Sequence, residues 1–283
     1  MNDANYQSGM IDPLSKGIGD LSRPLQPGRA DGLSWNLLKE DLSLPTAVLY
    51  EERLSHNLNW MRSFVTEYGV KLAPHGKTTM APTLFARQLA AGAWGITLAS
   101  AHQTRVAYHH GVRRVLMANQ LVGRQNMRII SRLLEDPGFE FFCLIDSAEL
   151  VDQLGCFFAA RKQTLNVLLE FGPDGGRAGV RNDTQQETVL AALQRWQGSI
   201  VLSGVEVYEG VLQEEADIRL FLRRAVRQRS GPARLLRSSF GAAASAAERR
   251  RFGLVRCGCG RIRQYRHRPA AGHRAASRLL SDT

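Results

Sequence analysis

Three features are scarce in this 283-residue sequence, and each scarcity excludes a class of protein. Cysteine occurs only four times, which gives no disulfide framework of the kind found in small secreted domains. No apolar run approaches the roughly 18 residues that indicate a membrane-spanning helix. The polar N-terminal segment lacks the basic start and apolar stretch of a signal peptide, so we expect a cytoplasmic protein without a membrane partner.

Lysine is absent from residues 223–283, where 16 arginines face only 2 acidic residues. Residues 1–222 carry 21 Lys+Arg against 24 Asp+Glu, so the net charge of +11 comes entirely from the tail. An arginine-rich tail could bind RNA or DNA through phosphates. Only Phe252 and Tyr265 lie nearby for base stacking, so we rank nucleic-acid binding last among the possible functions.

The four cysteines do not form a recognisable metal site. Cys143 and Cys156 stand in apolar runs, which predicts small buried thiols. Cys257 and Cys259 are separated by one residue, whereas structural zinc sites usually have two to four. Although two histidines follow, we predict no metal site in this chain.

Strand and helix patterns alternate after Pro45 with short connections. The predicted strands are 46–50, 70–78, 94–100, 113–119, 139–146, 165–171 and 200–208; the predicted helices are 51–68, 81–92, 101–110, 124–135, 147–162 and 184–197. Most strands are continuous apolar runs, typical of parallel strands covered on both faces. An open doubly wound sheet also fits, but no G-x-G-x-x-G follows the first strand.

The segment KLAPHGKTTMAP (71–82) carries the clearest chemical signal. A lysine at the end of a parallel strand points its amine into the mouth of a barrel, where active sites form. His75 and Lys77 are two residues apart, so on a strand they face the same side. A desolvated lysine there would have the lowered pKa that Schiff-base chemistry needs. From spacing alone, a solvated loop lysine remains the alternative.

Several segments together resemble one enzyme family. LPTAVLYEERLSHNLNWM, KLAPHGKTTMAPTLFARQLAAGAWGITLAS, RRVLMANQLV and VEVYEG, in this order, resemble the alanine-racemase-like, fold-type III pyridoxal-phosphate (PLP) enzymes. The nearest branch contains D-serine dehydratase, D-threonine aldolase and related bacterial amino-acid deaminases. The resemblance covers about residues 43–222 and includes the specific P-H-x-K-T core. It implies an α/β, TIM-type (β/α)8 barrel and makes Lys77 the PLP-binding lysine.

The resemblance also implies further cofactor-binding residues. Arg177, in DGGRAGVR, matches the arginine that follows the fifth strand near the cofactor ring; a solvated loop arginine is the alternative. Tyr208, in VEVYEG, ends a strand at the same barrel face and contacts cofactor or substrate, unless it is a core tyrosine. His75 is expected in the site rather than in a structural role. Gln103 and Asn119 lie near strand ends, and we expect both to be structural.

The implied activity is that of a PLP-dependent lyase or deaminase acting on D-amino acids. The favoured reaction is D-serine-type dehydration to an oxo acid and ammonia. D-threonine aldolase activity and a non-catalytic PLP-binding role are the alternatives. In the family a C-terminal β-domain binds zinc, and the full-length protein could be a homodimer.

The strand and helix alternation and the change in composition divide the chain into three segments. We expect a lead segment at 1–42, a partial barrel at 43–222 with about six strands, and a disordered Arg/Ala-rich tail at 223–283. The zinc ligands and the C-terminal β-domain have no counterpart in the sequence. The abrupt switch in composition resembles translation in a wrong reading frame. We therefore expect a chain truncated or frameshifted after about residue 225, with doubtful activity.

Overall fold

The computed structural model describes residues 10–26, 33–230 and 255–256. Its α-helices are α1 (Glu51–Glu67), α2 (Pro82–Ala90), α3 (Ala101–His109), α4 (Arg124–Leu133), α5 (Ala148–Ala159), α6 (Asp183–Arg195) and α7 (Glu215–Ser230). Its strands are β1 (Ile96–Leu98), β2 (Arg114–Gln120), β3 (Glu140–Ile145), β4 (Leu165–Phe171), β5 (Ile200–Val207) and β6 (Val255–Arg256). The chain divides into two compact units, residues 1–64 and residues 65–283.

In the first unit, the described residues before α1 have little regular structure. An antiparallel bridge joins Ile11 to Leu25, and Asn36 caps a 3-10 turn at Leu37–Lys39. The predicted strand at 46–50 is wrong, because this segment has no strand partner among the described residues and Leu49 is 70% exposed. A run of β-branched and aromatic residues forms a strand only where another strand can pair with it.

The second unit is built on one parallel sheet. Its strands follow chain order, from β1 to β6, and every neighbouring pair is parallel. A doubly wound sheet reverses its strand order at a switch point, whereas a barrel adds strands in sequence. The sequential order confirms the predicted barrel-type α/β fold, present here as part of a barrel.

The predicted strand at 70–78 is replaced by an irregular extended segment beside β1. The backbone of residues 72–76 makes three hydrogen bonds to the β1 region, at 2.7–2.9 Å: Trp94 N to Leu72 O, Thr97 N to Pro74 O, and Gly76 N to Thr97 O. Pro74 has no N–H to donate, so a regular ladder cannot form. The segment nevertheless occupies the position expected of the first barrel strand.

The two faces of the sheet bury different sets of side chains. On β3, Phe141, Cys143 and Ile145 belong to the large core under the helices, while Phe142 and Leu144 belong to a smaller cluster on the opposite face. Burial raises the pKa of the Cys143 thiol. Because strands covered on both faces need apolar residues at every position, this arrangement explains the continuous apolar runs.

Helix α5 shows how closely the outer layer packs. Ser147 caps it, and its hydroxyl accepts a hydrogen bond from Leu150 N at 3.3 Å. A Cβ on Gly155 would lie 2.1 Å from Trp196 Cδ2, so glycine lets the Trp196 ring reach the helix backbone. Cys156 is exposed, which corrects the prediction of a buried thiol: Gly155, not its neighbour, takes the inward position.

Helix α7 crosses the boundary that the composition places at residue 222. Phe221 and Ala225 are both buried in the main core, because α7 packs against β5. Strand β6 pairs with β5 through Glu206–Val255 and Val207–Arg256. The rest of the predicted disordered tail lies outside the described residues. Within residues 10–26, 33–230 and 255–256, no helix is long and apolar enough to cross a membrane.

Candidate active site

The carboxyl ends of parallel strands meet at one edge of a sheet, and this is where barrel active sites form. The segment 72–76 and strands β2, β3, β4 and β5 each place a polar or charged residue at or just beyond that edge. These residues are Lys77, Gln120, Asp146, Glu170, Arg177, Glu206 and Tyr208.

Lys77 stands in a turn immediately after the segment that lies beside β1. Gly76 is buried, and a Cβ there would lie 2.5 Å from Phe85 Cε1 and 2.9 Å from Ile96 Cγ2. The Gln103 amide donates to Lys77 O at 3.1 Å and accepts from Ala99 N at 2.9 Å, which agrees with its predicted structural role. The backbone of Lys77 is thus held on both sides. Its side chain is exposed, which corrects the expectation of a desolvated amine.

His75 pairs with Thr97 of β1 and is exposed at the same edge. Partial desolvation lowers the pKa of His75, and the nearby Lys77 ammonium lowers it further. His75 is therefore a neutral imidazole at neutral pH, able to donate through one ring nitrogen and accept through the other.

Arg177 lies on the loop that follows β4. Its side chain is exposed, and its positive charge lowers the pKa of both Glu170 and Glu206, which places the guanidinium near these carboxyl groups.

Glu170 and Glu206 form a buried pair that the sequence analysis missed. They are direct partners in the β4–β5 register and are 7% and 2% exposed. The Gln120 amide donates to Glu170 Oε2 at 2.6 Å. A charged residue inside an otherwise apolar strand, as in LNVLLEF and GVEVY, is the signal that could have found them.

Burial dominates the ionisation of this pair. It raises the pKa of Glu206 to about 8, with Glu170 and Glu209 adding to the shift and Arg177 opposing it. Burial also raises the pKa of Glu170, against the hydrogen bond from Gln120. Two adjacent buried carboxyl groups cannot both ionise cheaply, so at neutral pH the pair retains a proton.

Tyr208 and Asn119 occupy the rim. Tyr208 directly follows β5 and is 46% exposed, so it is not a core tyrosine. A Cβ on Gly210 would lie 2.8 Å from the Tyr208 hydroxyl oxygen, so glycine makes room for the ring. The Asn119 amide donates to Ala99 O at 3.3 Å, in keeping with a structural role.

Among the described residues, no group of three or more His, Cys, Asp or Glu side chains could hold a metal ion. Cys257 and Cys259, with the histidines that follow them, lie outside the described residues.

Comparison with known proteins agrees with the architecture. No family model matches the chain. The chain is 26% identical over 190 residues to D-threo-3-hydroxyaspartate dehydratase from Delftia sp. strain HT23, covering 67% of this chain and 50% of that protein. It is 27% identical over 238 residues to D-threonine aldolase from an Arthrobacter species, covering 81% and 58%.

A solved structure of the Delftia dehydratase superposes with a TM-score of 0.59 at 25% identity, covering 70% of this chain and 52% of that one. The crystal structure of D-threonine aldolase from Filomicrobium marinum gives a TM-score of 0.61 at 24% identity, covering 69% and 54%, and supports the fold. D-threonine aldolase is thus among the proteins that this chain resembles in sequence and in fold, as the resemblance to fold-type III PLP enzymes implies. The resemblance predicted from the sequence is therefore confirmed.

The chain spans about half the length of the curated relatives it matches. Fold-type III relatives imply PLP, and the groups at the sheet edge suit this cofactor chemically. Lys77 offers an amine, Arg177 a guanidinium and Tyr208 a phenol, all at least partly exposed. Within the described residues, the buried Glu206 Oε2 has no hydrogen-bond partner, as expected of an atom that faces a binding site.

Proposed function

We propose that this chain is the PLP-binding barrel of a lyase or aldolase that acts on D-amino acids, with Lys77 as the residue that holds the cofactor. The observation that carries the proposal is the placement of Lys77. It is the lysine of the P-H-x-K-T segment at the carboxyl edge, and Gly76 and Gln103 fix its backbone while leaving its amine accessible.

The neighbouring residues have distinct roles in this proposal. Bound PLP would supply an electron sink for the bonds at the substrate Cα. The Lys77 amine moves the Cα proton, Arg177 binds the cofactor from the loop after β4, and Tyr208 contacts cofactor or substrate at the rim. His75, kept neutral by its lowered pKa, adds a hydrogen bond without adding charge.

The favoured reaction is elimination of a β-hydroxyl group from a D-serine-type substrate, giving an oxo acid and ammonia. Support for this reaction comes from the dehydratase relative, whose substrate by name is D-threo-3-hydroxyaspartate. The second candidate is cleavage of a D-3-hydroxy amino acid to glycine and an aldehyde, because D-threonine aldolase is equally similar to this chain.

Cofactor binding is tested by titrating the purified chain with PLP and following the visible absorbance of lysine-bound pyridoxal. Lys77→Ala should abolish the signal, because it removes the only amine that the proposal uses. Lys71→Ala is the matched control, an exposed lysine six residues earlier, and should leave the signal unchanged. A full signal in Lys77→Ala would reject the proposal.

Product analysis on a panel of D-amino acids separates the reaction classes. Ammonia with an oxo acid supports the dehydratase, whereas glycine with an aldehyde supports the aldolase. L-enantiomers serve as controls and should not react. A chain that binds PLP through Lys77 but forms neither set of products would be a non-catalytic PLP-binding protein, contrary to the proposal.

A further inference from the structure

The loop that carries Arg177 is folded tightly onto the end of β4. Val180 N donates to Glu170 O at 2.8 Å, and Gly172 N donates to Val180 O at 3.1 Å. Val180 itself is fully buried. These contacts close residues 172–180 into a loop whose two ends are fixed by the sheet.

Two glycines allow the end of this loop to lie directly against its start. A Cβ on Gly172 would lie 2.0 Å from Ala178 O, and a Cβ on Gly179 would lie 2.4 Å from Gly172 N. Gly179 also has φ +90°, a conformation that L side chains rarely adopt. The two ends of the loop therefore touch through backbone alone, and Arg177, on the turn between them, is exposed.

Asp146 holds this loop from the neighbouring strand. It directly follows β3, and its Oδ2 accepts a hydrogen bond from Gly179 N at 3.1 Å. A carboxylate acceptor makes this bond stronger than one between neutral groups. On the other side, the Arg181 guanidinium donates to Gly176 O at 2.6 Å, so Arg177 lies between two restrained positions.

We infer that Asp146 is a positioning residue for Arg177: its carboxylate fixes the Gly179 amide and thereby the direction in which the Arg177 guanidinium enters the site. The inference rests on the proposed function, in which Arg177 binds the cofactor. It assigns Asp146 a role through hydrogen bonding. The alternative is that Asp146 acts only as a negative charge near Glu170, whose pKa it raises.

Four variants test the inference: Asp146→Ala, Asp146→Asn, Arg177→Ala, and the double variant Asp146→Ala/Arg177→Ala. Asp146→Ala should weaken PLP binding roughly 10-fold, as expected for loss of a hydrogen bond to a charged group. Asp146→Asn keeps an oxygen that can accept from Gly179 N, so its PLP affinity should stay close to that of the parent chain. In the Arg177→Ala background, Asp146→Ala should cause no further loss.

Amide hydrogen exchange on the cofactor-free chain provides an independent readout. Asp146→Ala should accelerate exchange in residues 172–180, and Asp146→Asn should restore the slow exchange. If the alanine variant does not fold, Asp146→Ser replaces it, because the serine hydroxyl is too short to reach the same amide.

Three outcomes would overturn the inference. Asp146→Ala could leave both affinity and exchange unchanged, its effect could add fully to that of Arg177→Ala, or Asp146→Asn could be as weak as the alanine variant. Failure of the proposed function gives a different result. In that case Lys77→Ala would not impair PLP binding, while the exchange experiment would still report on the contact between Asp146 and Gly179.

Discussion

The two faces of the parallel sheet differ in composition although the same strands form both. The face under the helices is apolar along its whole length, as Ile96, Phe141 and Val167 illustrate. The opposite face is apolar around Leu116, Phe142, Leu144 and Leu168, but it ends in buried Glu170 and Glu206 at the carboxyl edge. One face therefore presents apolar side chains that pack in the core. The edge of the other face contains two buried carboxyl groups that core packing does not require.

This difference has an energetic meaning. Burying apolar side chains stabilises the fold, whereas burying a carboxyl group costs free energy unless the group is paired or protonated. The Gln120 amide donates a hydrogen bond to Glu170 Oε2, but Glu206 Oε2 has no hydrogen-bond partner within the described residues. Buried ionisable groups with shifted pKa values are commonly concentrated at functional sites. Here they lie at the edge that carries Lys77 and Arg177.

The largest expected effect comes from breaking the apolar face. Phe141→Ala should lower the free energy of unfolding by about 3–5 kcal/mol, because Phe141 is fully buried and its removal leaves a cavity. Urea denaturation followed by circular dichroism measures the change. Leu220→Ala on α7 is the control: Leu220 is 69% exposed, so this substitution should cost less than about 0.5 kcal/mol. If both variants lost a similar free energy of unfolding, the packing role assigned to the apolar face would be contradicted.

The next largest effect concerns Glu206 at the polar edge, where a substitution should raise the free energy of unfolding. The pKa of Glu206 is about 8 in the folded chain, against an ordinary value of 4.5. Between these values the folded state keeps a proton that the unfolded state releases, so stability falls as pH rises from 4.5 to 8. Glu206→Gln removes this penalty and should stabilise the chain by roughly 3 kcal/mol more at pH 8 than at pH 5.

Urea denaturation at the two pH values measures this difference. Glu187→Gln, an exposed position on α6, is the matched control and should leave the pH dependence of unfolding unchanged. If Glu206→Gln showed the same pH dependence as the parent chain, the carboxyl group would be ionised normally, and the distinction between the two faces would weaken.

Much of the packing face was predictable from the sequence. The strand predicted at 165–171 is β4, and the helix predicted at 147–162 contains α5, which begins after a Ser147 cap. Both predictions rest on local patterns of apolar and capping residues. The strand at 46–50 failed because pairing depends on a distant partner, and the strand at 70–78 failed in part because Pro74 interrupts the ladder.

The polar edge was predictable only in part. Lys77, His75, Arg177 and Tyr208 were named from motifs and lie at or near the carboxyl edge. The pairing of Glu170 with Glu206 depends on the register between β4 and β5, which contains an irregularity between Val167 and Leu168. A local pattern does not reveal such a register, so the two glutamates could not be placed together beforehand.

The smallest expected effect links the fold to the candidate site. Gln103→Ala removes the bonds to Lys77 O and Ala99 N and should lower the free energy of unfolding by about 1 kcal/mol. It should also weaken PLP binding several-fold, because the backbone of Lys77 is no longer held. Gln125→Ala, at an exposed position on α4, should change neither quantity. Unchanged PLP affinity in Gln103→Ala would mean that this amide does not position the lysine.

The central claim is that Lys77 is the residue that holds PLP at the polar edge. Borohydride reduction of the PLP-loaded chain, followed by proteolysis and mass spectrometry, fixes the cofactor to whichever lysine carries it. We predict one labelled peptide, with the pyridoxyl group on Lys77. Label on Lys71 or another lysine, with none on Lys77, would contradict the account.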